Sequence, residues 1–188
     1  MLRALINSRI TAFEHRYGYD MSYARMLVGT RLRAFFAFAQ VTKMSTYCDG
    51  TPRAAWYAAK IAATMHEDCG PCTQLLIRMA EEAGVPPTVL RAVLACDFAT
   101  LEPAVGLALR YTEAVLAHST ETESLRQQIV AEWGHRGLVS LAFAITAGRL
   151  FPTLKYALGY AHSCARLEVD GELASFVRPH SSTVLARS

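Results

Sequence analysis

The sequence predicts an all-α fold, a single-domain bundle of about eight helices. Three observations carry that prediction. Apolar residues return every three or four positions in segment after segment, the spacing that gathers them on one helix face. Proline and glycine fall mostly between those segments, where helices start and stop. No stretch alternates apolar and polar residues convincingly, and no internal repeat is visible. The chain has 188 residues, 52% of them hydrophobic and 19% charged, enough for one sizeable core. Much of the apolar excess is Ala, which suits close helix packing.

The first helix is expected over 2–17, with Leu2, Leu5, Ile6, Ile10, Phe13 and Tyr17 in phase and a stop at Gly18. Asp20 is a good N-cap for a second helix reaching about Val41. Its apolar side, which includes Tyr23, Phe35, Phe36 and Phe38, reads as core or subunit interface rather than a cofactor box. A polar turn over 42–50 leads to Thr51-Pro52, a cap followed by Pro at the first helical position. The third helix runs from about Pro52 to Glu67 and breaks at Gly70; the fourth runs from Pro71 to a stop at Gly84. Pro86-Pro87 and Glu102-Pro103 start a short fifth and a longer sixth helix, the latter ending near His118. A seventh covers Leu125 to about Gly134. An eighth begins after Gly137, and Pro152 must end or kink it before a continuation to about Cys164. The domain divides into an N-terminal helical region (1–51), a core (52–118), C-terminal helices (119–166) and an irregular tail (167–188).

Several function classes are disfavoured. The longest uncharged apolar run, Leu138 to Gly148, is too short for a membrane span, and no signal-peptide core is seen near Met1. A net charge of +3 with scattered arginines offers no basic patch for nucleic acid. Five cysteines, an odd number, and no targeting segment point to a reducing cytoplasm.

The sharpest chemical signal is His66-Glu67-Asp68-Cys69-Gly70-Pro71-Cys72. Pro71 fits the first turn of a new helix. Cys72 then lies in that turn, where unpaired N–H groups and the dipole favour a thiolate. Such a pair can close a disulfide across one turn and reopen it by exchange. Half a metal site is the second reading, but zinc needs two more ligands, and Cys96, His66 or His118 would have to be recruited by the fold. Two small structural thiols near a helix start are the third. The tetrapeptide Cys-Gly-Pro-Cys also occurs in thioredoxins, where it follows a strand. Here the preceding Trp56 to Met65 is helical in composition and period, which excludes that fold and keeps the thiol chemistry.

An Ala-rich helix, a C-x-x-C at a helical break and a following helix ending at Gly84-Val85 resemble the alkylhydroperoxidase D-like, or carboxymuconolactone decarboxylase, family. The resemblance is clearest over 52–118. It implies an all-α fold, a homo-oligomer and a dithiol that reduces peroxides, with Cys72 as the attacking thiol and Cys69 resolving it. Two positions depart from the family pattern. Its His four residues after the second Cys is Leu76 here, and its Glu twelve residues before the first Cys is Tyr57. Those groups form the relay that activates the thiol. Substitutes exist nearby: His66 as base, Glu67 as its orienter, and Tyr57 as a hydrogen-bond donor to thiolate or peroxide. The bland readings are a solvated helix end for His66, Glu67 and Asp68, and a core residue for Tyr57.

His118, His135 and His162 read as helix-end caps, Cys48 and Cys96 as ordinary thiols, with Cys48 the one open to side reactions. The expected function is a thiol-disulfide peroxidase with no bound cofactor. Its partners are a small-molecule peroxide, an external dithiol reductant and further copies of itself. The rival is a helical oligomerisation or small-molecule-binding module, or slow redox sensor, that has lost the relay.

Overall fold

The computed structural model describes residues 1–160 and 166–177. Its helices are α1 (Leu2–Tyr17), α2 (Ser22–Thr30), α3 (Leu32–Ser45), α4 (Arg53–His66), α5 (Gly70–Glu82), α6 (Pro87–Leu94), α7 (Pro103–Leu116) and α8 (Thr122–Ala157). A two-stranded antiparallel hairpin, β1 (Leu167–Val169) and β2 (Glu172–Ala174), follows. The fold is an all-α bundle of one domain with almost no strand, as the helical periodicity requires.

Helix α4 is its axis. Apolar residues surround it, so it is buried on nearly every side. Ala55, Ala59 and Ala63 pack with Trp56 against Leu107 and Tyr111 of α7 and Ile129, Leu141 and Ile145 of α8. On the other side, Ala58, Ile61 and Met65 meet Ile77 of α5, Leu90 and Leu94 of α6, and Val169 of β1. The N-terminal helices form a third cluster around Ile6, Ile10, Tyr19, Tyr23 and Val28.

The expected second helix is two helices. Arg31 is extended (φ −158°, ψ 134°), so α3 turns away from α2 and lies along α8. Gly29-Thr30, a flexible and a β-branched residue at the joint, weakens helix propagation there. Asp20 is not the cap expected of it: Met21 is the N-cap of α2 and makes no side-chain cap bond, while Asp20, one residue earlier, accepts from the Ser22 N–H at 2.8 Å and orders the approach to the helix.

Helix α8 corrects two boundaries. The expected seventh and eighth helices are continuous apart from Gly134, whose φ 67° and ψ −175° are open only to glycine. Pro152 neither ends α8 nor takes it out of helical geometry; α8 runs on to Ala157 rather than to Cys164. The reason lies across the interface. Pro152 has no N–H to give to the carbonyl of Gly148, four residues earlier. The Thr64 hydroxyl of α4 stands 2.9 Å from that carbonyl and equally 2.9 Å from the Lys60 carbonyl of its own helix, so its one proton, shared between the two, partly fills the vacancy. Gly148 makes the approach possible: a Cβ there would lie 2.7 Å from the Lys60 carbonyl oxygen and 2.8 Å from the Ala63 Cβ. By length and apolarity α8 alone among the described helices is sufficient to cross a membrane, and 44% of its most apolar window is buried inside this bundle.

The stretch expected to be an irregular tail opens with the hairpin. Asp170 and Gly171 both have positive φ (55° and 72°), the left-handed pair a two-residue hairpin turn needs. Leu167 pairs with Ala174 and Val169 with Glu172, and Leu167 and Val169 are buried. With only three residues per strand, the alternation is too brief to stand out in sequence. His162, Cys164 and 178–188 lie outside the described residues.

Candidate active site

The dithiol sits where α4 gives way to α5. The chain turns at Asp68, whose φ of 49° is left-handed; the break therefore falls two residues before Gly70, on a residue type that tolerates it. Cys69 becomes the N-cap of α5, Pro71 occupies its first turn, and Cys72 follows in the same turn. The Thr73 N–H and hydroxyl both donate to the Cys69 carbonyl, at 2.9 and 3.1 Å, and the Tyr156 hydroxyl donates to the Asp68 carbonyl at 3.1 Å. Cys69 and Cys72 are joined as a disulfide with Cα atoms 5.3 Å apart. Both are buried, at 1% and 5% exposure.

The two sulfurs are not equivalent. Cys72 lines a cavity of about 450 Å³ between the N-terminal helices and α4, α5 and α8; Cys69 does not. The walls are mainly apolar and include Ile10, Phe35, Phe38, Leu76, Met79 and Phe151. Phe35 and Phe38, read from sequence as core or interface, pack against the N-terminal core cluster and also line this space. Leu76, at the position of the family's histidine, is buried in the same wall.

The Tyr19 hydroxyl lies 3.6 Å from the Cys72 sulfur and donates to it in the disulfide form. Lys155 of α8 donates to the Tyr19 oxygen at 3.3 Å, and its ammonium stands 4.5 Å from the Tyr19 ring centre. A donor chain therefore runs from Lys155 through Tyr19 to Cys72. Local structure places Tyr19. Gly18 ends α1 in the left-handed conformation, the Tyr19 N–H returns to the Glu14 carbonyl at 3.3 Å, and Arg78 of α5 donates to the Tyr17 carbonyl. Burial drives the Tyr19 pKa above that of an ordinary tyrosine, reinforced by neighbouring Tyr23, and pushes Tyr23 up to about 12. Both hydroxyls stay protonated at neutral pH. Burial lowers the Lys155 pKa, and the charge of Asp20 opposes that change.

A second buried amine, unlike Lys155, lines the cavity. Lys60, in the middle of α4 and 6% exposed, donates to the Ser45 carbonyl and lies 4.6 Å from the Trp56 ring centre. Burial alone depresses its pKa from 10.5 to about 8.

His66 is the last residue of α4 and half-buried. Glu67 gives one oxygen to Arg149 at 2.6 Å and the other to Thr153 at 3.2 Å, which ties the α4–α5 turn to α8. Tyr57 packs edge-on to Trp56, with ring centres 4.9 Å apart, away from the cavity wall. Cys48 is exposed and Cys96 half-buried; desolvation raises both thiol pKa values, with Glu113 adding to the effect on Cys96. They stay protonated and are poor nucleophiles at neutral pH. Among the described residues, no three His, Cys, Asp or Glu side chains gather closely enough to hold a metal ion.

Tyr19, Lys155 and Lys60 were missed in the sequence. Tyr19 reads as part of a turn, and Lys155 is far from the motif along the chain. Lys60 did carry a signal: one cation inside a helix that is apolar all round must be buried. Comparisons with protein-family models, with curated proteins and with solved structures find no match for this chain.

Proposed function

We propose that the protein is a thiol-disulfide peroxidase of the alkylhydroperoxidase D-like kind, acting through Cys72 and Cys69. One observation carries the reading: of the paired sulfurs, only that of Cys72 borders a cavity able to admit a substrate, and a Tyr–Lys donor chain ends on it.

In the reduced protein the Tyr19 hydroxyl, the nearby Lys155 ammonium and the first turn of α5 all favour the Cys72 thiolate. The thiolate sulfur attacks the terminal oxygen of a hydroperoxide, ROOH. A sulfur–oxygen bond forms, the oxygen–oxygen bond breaks, and RO⁻ leaves with the electron pair. Tyr19 protonates RO⁻ to the alcohol and takes a proton from Lys155, whose lowered pKa helps the transfer. The Cys69 thiol then condenses with the Cys72 sulfenic acid, forming the disulfide and releasing water. An external dithiol reduces the disulfide and is itself oxidised, and the regenerated Cys72 thiol returns its proton through Tyr19 to Lys155, restoring the thiolate and the ammonium. In this reading Tyr19 and Lys155 do the work expected of the family's Glu and His. Homo-oligomer formation belongs to the same proposal, supported by exposed Met26 and Phe36 on α2 and α3.

Single cysteine replacements test it. Cys72→Ser should abolish peroxide reduction. Cys69→Ser should still consume one equivalent and leave a sulfenic acid that dimedone traps on Cys72. Unchanged turnover in Cys72→Ser would refute the assignment.

A further inference from the structure

The cavity beside Cys72 has a feature the peroxidase chemistry leaves unused. Its polar lining away from the sulfur gathers around Lys60. The Lys60 ammonium donates to the Ser45 carbonyl, and the Thr64 hydroxyl lies 2.9 Å from the Lys60 carbonyl. A buried ammonium is costly unless an anion faces it. Among the described residues no carboxylate forms an ion pair with Lys60 and none lines the cavity; the only other charged residue in the lining is Arg9. Lys155 differs, because the charge of Asp20 acts on it. An ammonium has three donors; Lys60 makes one hydrogen bond, to Ser45, and lies over Trp56. The rest of the space is apolar, walled by Ile6, Ile10, Phe13, Phe35 and Phe151. At about 450 Å³ it falls within the range of sites for drug-sized ligands, about 300–1,000 Å³.

We infer that this cavity is a binding site for a single-chain amphipathic carboxylate, its head group on Lys60 and its hydrocarbon chain along the aromatic and aliphatic walls. The carboxylate supplies the counter-charge that the protein lacks, and the chain fills the apolar space. The site goes beyond the peroxidase reading and does not depend on it, because the disulfide form already contains the cavity.

Binding to the oxidised protein tests this without any thiol turnover. Calorimetric titration with dodecanoate, dodecanol and dodecyltrimethylammonium should rank the carboxylate first, about tenfold or more over the alcohol, as one charge-assisted hydrogen bond gives. Lys60→Met should remove that preference while dodecanol still binds, which shows the cavity intact. In the wild-type protein the preference should also fade as pH rises through about 8, where Lys60 loses its proton. That arm stands even if the variant fails to fold. Equal affinity for dodecanoate and dodecanol, or a carboxylate preference unaffected by both Lys60→Met and pH, would overturn the inference.

Discussion

At the scale of single residues, the chemistry depends on what surrounds one sulfur. Cys48, Cys72 and Cys96 have the same side chain and different prospects. Desolvation keeps Cys48 and Cys96 protonated, whereas Cys72 has a helix N-terminus and a tyrosine hydroxyl beside it, the tyrosine in turn accepting from a lysine. Tyr19 is the direct contact, so Tyr19→Phe should raise the Cys72 thiolate pKa and slow peroxide attack about tenfold at neutral pH, by loss of one hydrogen bond to a charged group. Lys155→Met should act in the same direction. Thiolate absorbance followed against pH measures both, and an unmoved titration in Tyr19→Phe would remove the residue from the mechanism. The motif itself was legible in the sequence, including the helix start at Gly70-Pro71 and the place of Cys72 in its first turn. Its polar neighbours in the fold were not. Tyr19 and Lys155 are 53 and 83 residues from Cys72 in the chain, and only the folded bundle brings the turn between α1 and α2, and with it Lys155 of α8, to the start of α5.

At the scale of helices, the α4–α8 crossing holds both the axis of the core and one wall of the cavity. Its closeness depends on Gly148, and its polar completeness on Thr64. Gly148→Ala pushes a Cβ into the backbone of Lys60 and should destabilise the protein by about 1–3 kcal/mol. Thr64→Val keeps the shape but leaves the Gly148 carbonyl with no donor in a buried interface, at a cost of about 1–3 kcal/mol. Urea denaturation would register both as lower midpoints; wild-type midpoints would contradict this account of how α8 passes through Pro152. Most helices were legible because their apolar phase and their Pro and Gly boundaries agree. Two of the misread places depend on contacts across the bundle: beyond the weak local propensity of Gly29-Thr30, the turn at Arg31 lets α3 lie along α8, and at Pro152 Thr64 stands near the carbonyl that lacks an N–H.

At the scale of the whole molecule, a buried amine inside the central helix couples stability to pH. Lys60 titrates near 8 when folded and near 10.5 when unfolded. Between those values the unfolded chain binds the extra proton, so stability rises with pH across that window. Below it, the full cost of burying the charge, about 3 kcal/mol at most, is present. Lys60→Met removes the term. Its stability relative to wild type should therefore be greatest below pH 8 and should shrink steadily toward pH 10.5; a pH-independent difference would contradict the assignment. The all-α class was readable from periodicity alone, but the cavity was not, because its walls come from helices α1 to α5 and α8 and exist only once these have packed.

One measurement tests most directly whether Cys69 and Cys72 are a peroxide-reducing pair with Cys72 on that cavity: fully reduced protein is mixed with one equivalent of cumene hydroperoxide, and the products are followed by peptide mass mapping and alcohol quantitation. The account predicts one equivalent of alcohol and a single new disulfide joining Cys69 to Cys72, with Cys48 and Cys96 still thiols. Unconsumed hydroperoxide, or oxidation falling on Cys48 or Cys96 while the pair stays reduced, would contradict it.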